Sequence, residues 1–156
     1  AEAVALADRV ALLLDGHLVQ EATPWEIYRR PASVAVARFV GGGNCLPGRA
    51  HGAGFHCALG CLPLPADAAH GPGILTIRPE AIGLGAAPSA RLAQVIATSF
   101  LGTQAKVTLR IGEVMLEALT APDALPGLSP GAEVFACLPT DALWVLPDGT
   151  GGQDRT

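Results

Sequence analysis

The apolar residues of this chain recur in short runs broken by glycine, proline, aspartate and histidine, and the period of the runs changes along the chain. Arg9-Val10-Ala11-Leu12-Leu13-Leu14, Asp15-Gly16 and His17-Leu18-Val19-Gln20-Glu21 predict a β-hairpin, since Asp-Gly supplies the two positive-φ positions of a primed turn. The first strand is apolar on both faces and belongs in a sheet covered on both sides. Thr23-Pro24-Trp25-Glu26 has the spacing of a capped helix start: threonine at the N-cap, proline at N1, glutamate at N3. That helix ends before Pro31, and a second helix spans residues 33–40 with Val36, Phe39 and Val40 on one stripe. Gly41-Gly42-Gly43 stops it and marks a domain boundary.

Beyond the glycines the pattern is that of strands and turns, with strands expected over 44–50, 55–59, 61–64, 73–77, 91–100, 133–138 and 143–146. In Lys106-Val107-Thr108-Leu109-Arg110-Ile111 the odd positions are apolar and the even ones polar. Gly112 turns the chain into residues 113–119, where Val114, Leu116 and Ala118 take the inner face of an antiparallel hairpin. Short strands at this spacing predict a mainly β chain, a small antiparallel β-barrel or sandwich. The first eight residues read as the end of a helix begun upstream, and residues 150–156 as a disordered tail.

Composition narrows the function classes. Of 156 residues, 19 are Gly and 13 Pro, too much punctuation for a helical bundle. With 10 Lys+Arg against 14 Asp+Glu, a formal charge of -4 and no basic cluster beyond Arg29-Arg30, nothing neutralises a phosphate backbone, and nucleic acid is not an expected partner. No apolar run approaches the roughly 18 residues of a membrane span, and the acidic start is unlike a signal peptide, so a cytoplasmic location is expected. The chain starts at Ala1 and its only methionine is Met115, which points to a processed chain or a piece of a longer one. The four cysteines, Cys45, Cys57, Cys61 and Cys137, read as reduced thiols.

Candidate chemistry is sparse. Lys106, the only lysine, follows no glycine-rich loop, and Gly41-Gly42-Gly43 has neither the spacing nor the strand-to-helix order of a dinucleotide loop. His51, His56, Cys57 and Cys61 include zinc-type ligands, and Cys57 and Cys61 could meet across a bend at Gly60. Their order and C-x3-C spacing match structural zinc sites poorly, and buried thiols are the commoner use of free cysteine. Ser99, His70 and Asp67 lack the sharp nucleophile turn of a catalytic triad, and Glu113 and Glu117 read as solvated charge. No catalytic residue, cofactor site or metal site is assigned. Arg78-Pro79-Glu80 closes an apolar strand; proline holds Arg78 extended, giving a rigid corner for a local ion pair or for contact with another chain.

Taken in order, Glu2-Ala3, Leu6-Ala7-Asp8-Arg9-Val10, Asp15-Gly16, Gln20, Thr23-Pro24, Glu26-Ile27-Tyr28, Pro31, Val36-Ala37, Phe39-Val40-Gly41 and Asn44 resemble the end of the ATPase domain of bacterial ABC-importer ATP-binding subunits. Ile77-Arg78-Pro79-Glu80, Phe100-Leu101-Gly102 and residues 143–147 resemble their appended TOBE domain, a small OB-like β-barrel. The resemblance implies residues 1–40 as an incomplete ATPase-domain tail of α/β type, 41–150 as a TOBE regulatory domain and 151–156 as a tail. Gly43-Asn44-Cys45-Leu46-Pro47-Gly48 and Ala58-Leu59-Gly60-Cys61-Leu62-Pro63-Leu64 look most like ferric-iron-type importers, with spermidine/putrescine, thiamine and sulfate types as alternatives. Ser89-Ala90-Arg91-Leu92 carries only three residues of a molybdate-type Ser-Ala-Arg-Asn motif.

The nucleotide loop, signature sequence, metal-binding aspartate, catalytic glutamate and switch histidine of that family have no counterpart here. The resemblance therefore implies a fragment without ATPase activity, with ATP and Mg bound by the full-length subunit. It also implies a homodimer through the regulatory domains and, in the full-length context, transmembrane permease subunits holding the subunit at the inner face of the plasma membrane. Arg78, Pro79, Glu80, Lys106 and Arg110 are the interface or regulatory residues expected from the corner and the hairpin. The alternative is a small-ligand or metal-sensing OB-like module.

Overall fold

A computed structural model describes residues 8–41 and 43–147. The expectations for residues 1–7 and for the tail from 148 onward fall outside them. The first unit begins with the hairpin of β1 (Val10–Leu14) and β2 (His17–Ala22), turned by Asp15 at φ 53 and Gly16 at φ 78. Helix α1 (Pro24–Arg29) starts with a complete capping box. The Thr23 hydroxyl accepts from the Glu26 amide at 3.3 Å, and the Glu26 carboxylate accepts from the Thr23 amide and hydroxyl at 3.0 Å. Helix α2 (Val34–Gly41) opens with Ser33 Oγ accepting from the Val36 amide at 3.2 Å. Leu12, Ile27 and Val36 form a small core of their own. The expected stripe is only half right: Val36 is fully buried while Phe39 is 63% exposed.

The second unit is two curled antiparallel five-stranded sheets around one core. The first contains β3 (Asn44–His51), β4 (Gly54–Cys57), β5 (Gly60–Pro63), β6 (Gly71–Ile77) and β12 (Trp144–Pro147), in the order β12-β6-β3-β4-β5. The second contains β7 (Gly83–Leu84), β8 (Arg91–Phe100), β9 (Ala105–Ile111), β10 (Val114–Thr120) and β11 (Glu133–Cys137), in the order β10-β9-β8-β11-β7. Alternation works as expected in the β9–β10 hairpin: Val107, Leu109, Val114, Leu116 and Ala118 all point into the core, where they meet Phe55, Leu75 and Val145 from the first sheet. Glu113, expected on a strand face, sits in the turn instead.

Two glycines are fixed by close approach of backbone. A Cβ on Gly48 would lie 2.3 Å from the His56 carbonyl oxygen, and one on Gly73 would lie 2.6 Å from that of Leu146. Asn44 closes the gap between the sheets. Its amide nitrogen donates to the carbonyls of Ile77 at 3.3 Å and Glu117 at 2.9 Å, and its carbonyl oxygen accepts from the Glu117 amide at 2.7 Å. This one side chain joins the start of β3 to the edge strand β10 and leaves no buried polar atom of its own unpaired. No helix among the described residues is long and apolar enough to cross a membrane.

Candidate functional site at the tail–barrel junction

After β6, Pro79 holds Arg78 extended (φ -71, ψ 142) and starts a 3-10 turn, Pro79–Ala81, whose proline is buried. The turn packs against β10. It aims Arg78 back at the first unit, with the guanidinium carbon 5.0 Å from the centre of the Tyr28 ring on α1. Arg78 Nε lies 3.4 Å from a Glu80 carboxylate oxygen, yet it is buried and makes no hydrogen bond. Burial pushes the Arg78 pKa below its ordinary value, the neighbouring Arg29 charge adds to this, and Asp141 opposes it. An arginine starts so high that Arg78 stays cationic near neutrality.

A second contact pins the same helix. Trp144 of β12 donates its indole N–H to the Pro31 carbonyl at 3.2 Å, and the Arg30 guanidinium lies 4.7 Å over the indole ring. Arg30 also pairs with Asp67 from the β5–β6 connection. Gln20 steadies the chain between α1 and α2, donating to the Arg30 carbonyl at 3.1 Å and accepting from the Ala32 amide at 2.8 Å. A neutral hydrogen bond contributes about 1 kcal/mol, and an exposed cation–π contact and a surface ion pair about 0.5 kcal/mol each. The junction is thus a latch of a few polar contacts outside the core.

Beside the latch lies an open polar cleft of about 220 Å³, with Arg29, Arg30, Asp67, Arg78, Asp141 and Trp144 among its walls. A separate apolar groove of about 640 Å³ runs over the first unit, lined by Val10, Leu12, Trp25, Tyr28, Phe39 and other apolar residues. Tyr28 lines this groove and also lies against the Arg78 guanidinium.

Of the expected interface residues, Arg78, Pro79 and Glu80 stand together at this junction. Lys106 and Arg110 lie on the polar side of β9, where Lys106 pairs with Glu117 at 3.8 Å and Arg110 donates to Gln94. Apart from Pro79, these residues are engaged in three separate local pairs, Arg78 with Glu80, Lys106 with Glu117 and Arg110 with Gln94. Nothing in the sequence points to Asp141 or Trp144; Asp67 stands there only beside Ser99 and His70, and Arg30 only as half of the basic pair Arg29-Arg30 ahead of Pro31.

The β4–β5 hairpin corrects the expectation for Cys57 and Cys61. Its register sets Cys57 opposite Gly60 and His56 opposite Cys61, so the thiols are not partners across the bend. Among the described residues no three His, Cys, Asp or Glu side chains are grouped to hold a metal ion. Arg91 of the Ser-Ala-Arg run is committed to structure, donating to the carbonyls of Leu59 and Cys61. Asp67, considered beside Ser99 and His70, is engaged by Arg30.

These features place the second unit in the OB-like class of small β-barrels. Residues 75–146 match the TOBE domain family. The cytoplasmic molybdate-binding protein ModG, in a crystal form with molybdate bound, superposes with a TM-score of 0.56 at 18% identity, covering 67% of this chain and 96% of that one. The likeness is one of fold.

The Fe(3+) ions import ATP-binding protein FbpC of Streptomyces coelicolor is 37% identical over 138 residues, 86% of this chain and 40% of that protein. The molybdate/tungstate import ATP-binding protein WtpC of Pyrococcus abyssi is 36% identical over 93% of this chain and 44% of its own length. The sulfate/thiosulfate import ATP-binding protein CysA 2 of Chromobacterium violaceum is 38% identical over 85% and 35%. The chain matches the TOBE-bearing, regulatory C-terminal region of ABC-importer ATP-binding subunits. It spans about two-fifths of the length of these relatives.

Proposed function

We propose that this chain is the regulatory end of an importer's ATP-binding subunit, and that it dimerises and couples the ATPase domain to its partners. The observation that carries the reading is the latch: Trp144 and Arg78 of the barrel hold α1 and the residues just after it, in the middle of the first unit. A displacement of the ATPase tail is thereby passed to the barrel, and contacts made by the barrel bias the ATPase between its states. ATP and Mg belong to the rest of the subunit. Lys106 sits on a strand in an ion pair with Glu117 and follows no glycine-rich loop, so it does not fit a phosphate cradle. No hydrolytic step is assigned to this chain. The permease is the partner in the intact subunit, at the cytoplasmic face of the membrane, and ferric iron is the proposed cargo.

Support for iron is the name of FbpC, although the molybdate/tungstate and sulfate relatives are equally similar. Support for a second copy as partner is an apolar patch outside the second sheet. Leu92 and Phe135 face each other across β8 and β11 with 53% and 46% of their surface exposed, and Met115 lies along the same sheet.

The test uses the intact subunit assembled with its permease and carrying Arg30→Gln with Trp144→Phe. Loosening the latch by about 2 kcal/mol shifts its equilibrium by up to roughly thirtyfold. ATP turnover is expected to change severalfold while the KM for ATP stays the same. Unchanged turnover removes the coupling role, and loss of molybdate or sulfate uptake rather than iron uptake on deleting the subunit removes the cargo.

A further inference from the structure

Two guanidiniums cross the junction between tail and barrel, in opposite directions and in unequal states. Arg30 of the tail lies 4.7 Å over the Trp144 ring of the barrel, is half exposed and pairs with Asp67. Arg78 of the barrel lies 5.0 Å from the Tyr28 ring of the tail, with only 21% of its side chain exposed. Its Nε is shut away from water, and although a Glu80 carboxylate oxygen stands 3.4 Å away, Nε makes no hydrogen bond. Among the described residues it is the one buried side-chain nitrogen or oxygen left so.

The two contacts therefore hold with different strength. Arg30 gains a ring and a carboxylate while staying hydrated. Arg78 gains a ring face and the attraction of Glu80, and loses the hydration of a charged donor that finds no acceptor in exchange. A ring contact and an unpaired charged donor are of similar size and opposite sign, so the stacked position is close to balance with one in which the guanidinium stands in water. Docking also brings Arg29 of α1 toward Arg78, and this like charge adds to burial in disfavouring the Arg78 cation, with Asp141 acting the other way. Pro79 fixes the backbone of the corner and its turn packs on β10, which leaves the freedom in the Arg78 side chain.

We propose that Arg78 is the release element of the latch: its guanidinium stacks on Tyr28 when the tail is docked and swings into water when the tail leaves, and its unpaired Nε favours the opening. A fully satisfied arginine would fasten the tail to the barrel, whereas a poised one lets modest contacts elsewhere decide between the two states. The release element belongs to the latch on which the coupling role rests. Exchange in this chain alone reports the element, and ATP turnover in the assembled subunit reports the coupling, so either fails without the other.

Hydrogen exchange of the Trp144 indole N–H, which donates to the Pro31 carbonyl, reports opening of the junction and is read by NMR. Arg78→Met keeps the length of the side chain and removes charge and donor together; the indole is expected to exchange about fivefold more slowly than in wild type. Arg29→Gln, at an exposed position, removes only the repulsion; exchange is expected to slow about twofold, with no further change when it is added to Arg78→Met. The amide of Val107, a buried residue of β9, is expected to keep its rate in each variant, which separates the junction from global stability. Unchanged or faster indole exchange in Arg78→Met overturns the proposal, since Arg78 is then a plain anchor. So does an Arg29→Gln effect that survives undiminished in Arg78→Met, or an equal slowing at Val107. If Arg78→Met does not fold, unchanged exchange in Arg29→Gln overturns it and slowed exchange supports it.

Discussion

Asn44 shows how much of a fold can hang on one polar side chain. It is buried, and all three of its hydrogen bonds reach backbone of strands that do not neighbour each other in either sheet. Asn44→Ala deletes those bonds and strands the Glu117 amide and carbonyl in a dry place, a penalty of about 2–4 kcal/mol. Urea denaturation is expected to show that loss as a lower midpoint with little change in slope. Asn44→Asp does not rescue it, because a carboxylate there faces two carbonyl oxygens. The residue was visible in the sequence only as part of a family block. No local pattern announces a bond to Glu117, 73 positions away.

At the level of elements, much was legible because the cause is local. The primed turn at Asp15-Gly16 and the capping box at Thr23 follow from the backbone preferences of neighbouring residues. The β9–β10 hairpin follows from strict alternation with one wet face. Phe39 escaped because a helical stripe says which residues share a side, not whether the described part of the chain covers that side. The capping box makes a pH prediction. Hydrogen bonds from the Thr23 amide and hydroxyl hold the Glu26 carboxyl below its ordinary pKa. A carboxylate depressed on folding contributes stability above its unfolded pKa and loses it as pH falls through the folded one. Glu26→Gln is therefore expected to melt lower than wild type at neutral pH and at the same temperature in acid. Thr23→Ala, which removes the cap, is expected to cost about 1 kcal/mol at neutral pH.

For the molecule as a whole, the mainly β, OB-like class was legible from strand spacing and from the TOBE-type residues, and the structure and comparisons agree. The junction was not. It joins Arg30 to Asp67 across 37 positions and Pro31 to Trp144 across 113, and such pairings arise only when the tail lies on the finished barrel. The Arg78 corner was found because proline fixes its backbone locally, but its partner Tyr28 was not. Light scattering of this chain over a concentration series is expected to show a dimer, and Phe135→Lys is expected to shift it toward monomer. A monomer at every concentration removes the homodimer from the proposed function.

The scarcity of aromatic residues has an optical consequence. The two tryptophans and single tyrosine of the chain are Trp25, Trp144 and Tyr28. Trp25 lines the apolar groove with its ring 6.2 Å from that of Tyr28, and Trp144 lies beneath Arg30 at the latch. Every indole and phenol chromophore thus stands either in the groove or at the junction. The unlabelled protein is its own fluorescent gauge: emission from Trp144 follows the opening of the junction, while that from Trp25 follows whatever comes to lie in the groove.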